Sequence, residues 1–202
     1  VNLLTDNWEV DKFISEINKV NAEYPEPAYN SLLNLIDSHD TERFLNTVGN
    51  NKKKLKSAAF LQFVMPGAPM VYYGDEIGIK GASDPDNRRT MLWEEATNPY
   101  QLDEELLGFY KQLIEIRKEN EVLIGGSLNI SSAGDNASIL LINRELAGEK
   151  IVGLINTSSE KSEIKFQLNK EEVIDLISQK FYSLKDGELS VVVDGHGLYL
   201  FK

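Results

Sequence analysis

Apolar and polar positions follow two different rhythms along this chain. In residues 8–20, Val10, Phe13, Ile14, Ile17 and Val20 return every three or four positions, which predicts a helix with one buried face. Asp6, with Glu9 three residues on, is its expected N-cap, and Pro25-Glu26-Pro27 ends it. Residues 32–36 form a short apolar run that predicts a strand buried on both faces. A second helix is predicted over 51–63, with Leu55, Ala58, Ala59 and Gln62 along its inner side, until Pro66-Gly67-Ala68-Pro69 breaks it. Met70-Val71-Tyr72-Tyr73 predicts another short buried strand, and residues 74–98 a long polar loop. Residues 103–120 predict a third helix whose inner face carries Leu106, Leu107, Tyr110, Leu113, Ile114 and Arg117.

The rhythm changes after Gly125-Gly126. Short β-type runs at 127–131, 137–142, 150–156, 164–168, 172–177, 189–193 and 197–201 are separated by turn residues, among them Gly134-Asp135-Asn136, Asp186-Gly187 and Asp194-Gly195-His196-Gly197. Residues 169–177 read equally well as a short helix. About seven short strands predict an antiparallel β-sandwich over 125–202. The helix–strand–helix–strand–helix order of 1–124 predicts α/β structure with parallel strands. Two strands cannot bury a parallel sheet, so 1–124 reads as the last part of a larger α/β unit.

Composition narrows the function classes. With 42% apolar and 26% charged residues the chain can form a core, which excludes intrinsic disorder. Its longest apolar run, 58–64, is too short to span a membrane and contains Gln62. A net charge of −11 argues against a nucleic-acid partner, and the one basic cluster, Lys52-Lys53-Lys54-Leu55-Lys56, reads as a solvated helix face. Without cysteine there is no disulfide, thiolate nucleophile or cysteine zinc site, and a reducing, cytoplasmic setting is expected. The first residues, Val1-Asn2-Leu3-Leu4-Thr5-Asp6, carry no initiator Met and no basic leader, so the chain reads as starting mid-protein.

The segment richest in chemistry is Asp37-Ser38-His39-Asp40-Thr41-Glu42-Arg43, which follows the first apolar strand directly. In parallel α/β sheets, ligands bind where loops leave the C-terminal strand ends. A Ser38–His39–Asp triad is disfavoured, because neighbours on an extended strand point to opposite faces. A His–Asp metal pair lacks further ligands, since the other histidine, His196, lies far along the chain in a glycine turn and is expected to be solvated. No resident metal or cofactor is expected: Asp84 and Asp86 would suit calcium by charge, but pairing with Arg88 and Arg89 is the simpler account. Carbohydrate chemistry needs carboxylates, a hydrogen-bonding histidine and aromatic platforms. Asp37, Asp40, Asp75, Glu76, Asp84 and Asp86, with Tyr72, Tyr73 and Trp93, meet that description near the two strand ends.

Three motifs carry a resemblance. Asn34-Leu35-Ile36-Asp37-Ser38-His39-Asp40-Thr41-Glu42-Arg43-Phe44 resembles the seventh-strand motif of the α-amylase family of glycoside hydrolases. Gly67-Ala68-Pro69-Met70-Val71-Tyr72-Tyr73-Gly74-Asp75-Glu76-Ile77-Gly78 resembles its eighth-strand segment. Asp84-Pro85-Asp86-Asn87-Arg88-Arg89-Thr90-Met91-Leu92-Trp93 is similar to the following loop of cyclomaltodextrinases, neopullulanases and maltogenic amylases. The order and spacing also match, and the family appends a C-terminal β-sandwich, so the resemblance covers essentially the whole chain.

The resemblance implies the last two strands of a (β/α)8 TIM barrel with their helices, followed by the sandwich, and an α-glucan oligosaccharide as substrate. It implies that Asp40 stabilises the oxocarbenium-like transition state without attacking the sugar, and that His39 also holds its hydroxyls. Asp84 and Arg88 match residues that grip the next sugar, whereas Asp75 and Glu76 match a structural position. Glu76 is expected to fix its loop, and Tyr72 and Tyr73 to pack. The family's nucleophile and acid/base carboxylates lie upstream of the Asp40 motif, where these 202 residues hold no matching strand. The chain alone is therefore expected to be inactive and to need the rest of the barrel or self-association. Two alternatives stand beside this reading: a non-catalytic carbohydrate-binding or interaction chain, and a transglycosylase of the same family.

Overall fold

The computed structural model describes residues 1–93, 102–134 and 137–202. The end of the predicted 74–98 loop and Asp135-Asn136 of the predicted turn lie outside these residues. The chain opens with a turn, Leu4 N–H donating to Val1 O, that buries Leu3 and Leu4. Helix α1 (Val10–Glu23) starts after Glu9 without a side-chain cap. The predicted cap, Asp6, instead adopts φ 61° and pairs with Lys54 Nζ at 2.6 Å, because burying Leu3 and Leu4 swings the preceding segment off the helix axis. One helical turn, α2 (Glu26–Tyr29), with proline in its first turn, leads into strand β1 (Leu33–Leu35).

Helices α3 (Phe44–Thr47) and α4 (Lys52–Val64) connect β1 to β2 (Ala68–Met70). The two strands are parallel, pairing Leu33 with Ala68 and Leu35 with Met70. Gln62 explains itself here: from α4 its amide donates to Asn34 O and Met70 O, both at 2.8 Å, and so clips the two strands together. Asn34 Nδ2 returns the contact by donating to Pro66 O at 2.7 Å. The opposite face differs from expectation. Leu33 and Leu35 are 63% and 48% exposed, because alternate residues of a strand point away from α4 and nothing among the described residues covers that side. The second strand also ends before the predicted tyrosines, which leave the sheet to lie on Arg43.

The lysines of α4 are not a free solvated face. Lys52 pairs with Asp103, Lys54 with Asp6 and Lys56 with Glu105. Asp103 also caps α5 (Glu104–Glu119), accepting from Leu106 N–H at 3.0 Å, while acids in the first turn and bases in the last complement the helix dipole. The face of α5 that packs inward carries Leu106, Tyr110, Leu113, Ile116 and Arg117; Ile114, expected inside, is 39% exposed. A short helix α6 (Glu121–Gly125) leads to the strands.

Eight strands follow: β3 (Ser127–Ala133), β4 (Ile139–Leu146), β5 (Glu149–Asn156), β6 (Ser162–Gln167), β7 (Glu172–Asp175), β8 (Lys180–Ser183), β9 (Glu188–Val193) and β10 (Leu198–Phe201). The ambiguous 169–177 stretch resolves as β7, paired with β10 and β8. The unforeseen β8 is an edge strand with Phe181 66% exposed, so it lacks the alternating signature of a half-buried strand. Six strands form one sheet, ordered β3-β4-β5-β10-β7-β8, and β6 pairs with β9 in a second.

The larger sheet is a middle layer. Leu140, Ile142, Ile151, Ile155 and Leu200 join the helical core around Phe60, while Ile139, Val152, Leu154, Val173 and Phe201 meet Ile164, Leu189, Val191 and Val193 of the smaller sheet. Gly153 makes the first contact possible, since a Cβ there would lie 3.3 Å from the Phe60 ring.

Two buried arginines bind the layers. Arg144, on β4, donates to Val64 O, Leu123 O, Gly126 O and Ser127 O at 2.5–3.0 Å. Arg117, on α5, donates to Phe63 O, Met65 O and Gly67 O. Most of these are carbonyls at the ends of α4 and α6, where cations are favoured; Gly67 O and Ser127 O lie just beyond them, at the starts of β2 and β3. Burial and the nearby Arg117 charge push Arg144 down to about 10, so it stays charged at neutral pH.

Replacing Arg144 by Met is expected to destabilise the fold by about 3–5 kcal/mol, with only partial recovery in Arg144→Lys, whose ammonium lacks the planar fork. Urea unfolding midpoints check this, and an unchanged midpoint in Arg144→Met would refute it.

Candidate functional site

Three loops meet beyond the C-terminal ends of β1 and β2. The first runs from Asp37 to Arg43. Asp37 is buried and its Oδ2 accepts from Phe44 N–H at 2.6 Å, anchoring the loop to the start of α3. Ser38 closes the turn at the tip: its N–H donates to Thr41 Oγ1 at 2.9 Å, and its hydroxyl accepts from Asp40 N–H at 3.2 Å. That hydroxyl is structural, which agrees with setting aside a serine triad. The side chains of His39 and Asp40 project at the tip, 64% and 70% exposed, with His39 Nε2 3.2 Å from Asp40 Oδ1.

The second loop follows β2. Glu76 Oε2 accepts from Gly74 N–H at 2.8 Å, the expected loop-fixing contact. Tyr72 and Tyr73 are not simply packed: Tyr73 is 38% exposed, and the Arg43 guanidinium lies 3.9 Å and 4.9 Å from the two ring centroids. Tyr73 OH donates to Arg89 O, linking this loop to the third.

In the third loop, Asp86 accepts from Ala82 N–H at 2.7 Å and from two nitrogens of Arg89 at 2.8 and 2.9 Å, a fork that holds its carboxyl below the usual range. Gly81 lets the loop fold onto itself, since a Cβ there would sit 2.5 Å from Asp86 O. Arg88 is thereby aimed at the first loop. Its Nε lies 3.2 Å from Asp84 Oδ1 and donates to His39 O at 3.1 Å, and its Nη2 is 4.0 Å from Asp40 Oδ1.

The four residues expected at the site, His39, Asp40, Asp84 and Arg88, therefore form one exposed cluster centred on Asp40. It offers an acceptor carboxylate beside imidazole and guanidinium donors, an edge suited to hydroxyl groups. Trp93, counted among the aromatic platforms, is 72% exposed. His196 stands apart and is half-buried rather than solvated, because its backbone N–H is held by Ser158 O at 2.9 Å; burial pushes its imidazole down. Among the described residues, no group of three or more His, Asp or Glu side chains is placed to hold a metal ion. A neighbouring cavity of about 630 Å³, lined by Leu45, Ile77, Ile79 and Leu92, includes none of the four cluster residues.

Two supporting residues escaped the sequence reading. Arg43 is fully buried and touches all three loops: Nη1 donates to Tyr73 O at 2.7 Å and to Asp75 Oδ1 at 3.0 Å, and Nε to Asn87 O at 2.9 Å. Asn87, also fully buried, donates to the first loop from the third. Both stand inside quoted motifs, but no pattern of hydrophobicity marks a polar side chain as buried. Asp75 and Asp37 form a buried acid pair beside Arg43. Burial first, then the adjacent Asp37 carboxyl, push Asp75 up to about 9 against the pull of Arg43. A carboxyl raised this far keeps its proton at neutral pH, so Asp75 adds no full negative charge beside Arg43.

The α-amylase catalytic-domain family model matches residues 5–126. Neopullulanase 2 of Thermoactinomyces vulgaris is 37% identical over 164 residues, covering 81% of this chain and 27% of its own length. A cyclomaltodextrinase of Thermoanaerobacter pseudethanolicus is 40% identical over 150 residues, covering 74% of this chain and 25% of its own. The chain spans about a quarter of the length of these curated relatives. The crystal structure of a maltogenic amylase from S. marinus superposes with a TM-score of 0.78 at 32% identity, over 97% of this chain and 26% of that one.

Between the ordinary Asp75 value of 3.8 and its raised value of about 9, the folded chain keeps a proton that the unfolded chain has released. This contribution is complete below the lower value and is lost as pH rises through the higher one. The stability of wild type relative to Asp75→Asn is therefore expected to fall as pH rises across that window, measured by denaturant midpoints. A difference independent of pH would show that Asp75 does not hold the proton.

Proposed function

Since this chain belongs to the α-amylase family, we propose that its 202 residues supply one side of a glucan cleft in a retaining glycoside hydrolase acting on maltooligosaccharides and cyclodextrins. Residues 1–124 are the closing part of a (β/α)8 barrel, with β1 and β2 as its seventh and eighth strands, and 125–202 are the appended β-sandwich. The parallel pairing of β1 with β2 supports this reading, as does the exposure of Leu33 and Leu35, which the remaining barrel strands would cover. The partner is the rest of the same barrel rather than another copy. A cytoplasmic setting and the absence of a resident metal or cofactor go with this reading.

The observation that carries it is the convergence on Asp40, whose Oδ1 lies 3.2 Å from His39 and 4.0 Å from Arg88, on loops leaving the C-terminal ends of parallel strands. Asp40 and His39 hold hydroxyls of the sugar whose bond breaks, most tightly when its ring flattens toward the oxocarbenium ion. Arg88 and Asp84 grip the neighbouring unit. Retaining hydrolysis also requires a nucleophilic carboxylate and a separate acid/base carboxyl about 5–5.5 Å apart. In this reading both come from outside the 202 residues, because Asp40 is committed to hydroxyls and the Asp37–Asp75 pair is buried.

Purified residues 1–202, incubated with a cyclodextrin and with maltotriose, are expected to release no reducing ends. Turnover that survives removal of contaminating amylase would overturn the division of labour. In the full-length protein, Asp40→Asn is expected to lower kcat by roughly 10²–10³-fold with a small effect on KM, the signature of a contact made mainly in the transition state. Arg88→Ala is expected instead to raise KM for longer oligosaccharides. Equal effects of the two substitutions would refute the roles, and a full-length protein that binds glucans without turnover would support a non-catalytic binding chain.

A further inference from the structure

Asp40 sits on a turn that has no strand or helix to hold it, yet transition-state stabilisation requires it to be fixed within a fraction of an ångström. Beyond the Ser38–Thr41 contacts within the turn, the restraint crosses from the third loop, where Arg88 Nε and, above all, Asn87 hold its carbonyls. Asn87, with no exposed surface, donates both hydrogens of its amide across to the first loop: Nδ2 lies 2.8 Å from His39 O and 2.8 Å from Thr41 O. These carbonyls belong to the residues on either side of Asp40. Both partners are acceptors, so the orientation of the amide is unambiguous. Its Oδ1 is buried without a hydrogen-bond partner among the described residues. An amide that leaves its acceptor unsatisfied carries a desolvation penalty, which the two donated bonds offset.

The backbone of Asn87 is tied down in turn. Its carbonyl accepts from Arg43 Nε at 2.9 Å, and Arg43 is fixed to Tyr73 O and Asp75. The next residue is Arg88, which also donates to His39 O and pairs with Asp84. We propose that Asn87 is a positioning residue: it brackets Asp40 between two carbonyl contacts and makes the sugar-gripping loop and the Asp40 turn one rigid block. An oligosaccharide held by Arg88 and Asp84 is then registered against Asp40 through the side chain one residue away. This inference rests on the reading of Asp40 given above.

A double-mutant cycle in the full-length protein tests it, with maltotriose and a cyclodextrin as substrates. Asn87→Asp keeps the side-chain shape but sets an acceptor against two carbonyls. Asn87→Ser shortens it out of reach without adding a charge, so the pair of variants separates misfolding from misplacement. With kcat counted per folded molecule from thermal melts, each is expected to lower kcat about 10- to 100-fold while KM changes less than about threefold. On an Asp40→Asn background the same substitutions are expected to cost less than about twofold more, since the group they misplace has lost its function. Losses that multiply in full, or a rise in KM with kcat unchanged, would overturn the positioning role alone. Wild-type protein without turnover, or an Asp40→Asn variant as active as wild type, would overturn the reading of Asp40 and this inference with it.

Discussion

The candidate site depends on where a guanidinium without access to water finds its hydrogen bonds. Arg43 ends the loop after β1 and bonds the other two: Nη1 donates to Tyr73 O and Asp75 on the loop after β2, while its backbone N–H donates to Gly81 O and Nε to Asn87 O on the loop ending at Arg89. Two tyrosine rings stack against it. A charge buried this deeply is stable only while all of these are in place. The three loops therefore cannot move independently. The exposed cluster of His39, Asp40, Asp84 and Arg88 is the outer surface of a block whose inner surface is Arg43 and the Asp37–Asp75 acid pair.

The same principle, with different acceptors, joins the helices to the sandwich. Arg144 and Arg117 take their hydrogen bonds from backbone carbonyls at and just beyond helix ends rather than from carboxylates. Backbone carbonyls cannot titrate, so this junction is far less sensitive to pH than the acid pair beside Arg43. Arg117 reaches Gly67 O, immediately before β2, and so carries the restraint to the base of the strand whose far end feeds the second loop. The apolar contact of Phe60 with the sheet over Gly153 fills the space between these polar ties.

The two-stranded parallel sheet is where this architecture is open. One face is satisfied by α4 through Gln62 and Asn34, while Leu33 and Leu35 on the other face meet solvent. Apolar side chains on a parallel strand are ordinarily buried on both faces. That contrast leaves this apolar face uncovered among the described residues.

Periodicity was enough to place the helices over Val10–Glu23 and Glu104–Glu119 and the half-buried sandwich strands, whereas Lys52–Val64, buried nearly all round in its second half, was bounded by the Pro66-Gly67 break. The same local information brought His39, Asp40, Asp84 and Arg88 forward as site residues, since their types and neighbours are properties of the string itself. Burial of polar groups is not such a property. Which arginine would be solvated and which sealed, that Asn87 would reach across to His39 and Thr41, that Asp6 would leave its helix for Lys54, and that Phe181 would lie on an exposed edge depended on which segments met in space. A hydrogen bond between residues more than forty positions apart leaves no periodic trace, so the chain alone determined its elements and candidate chemistry, and only tertiary contact decided what holds that chemistry in place.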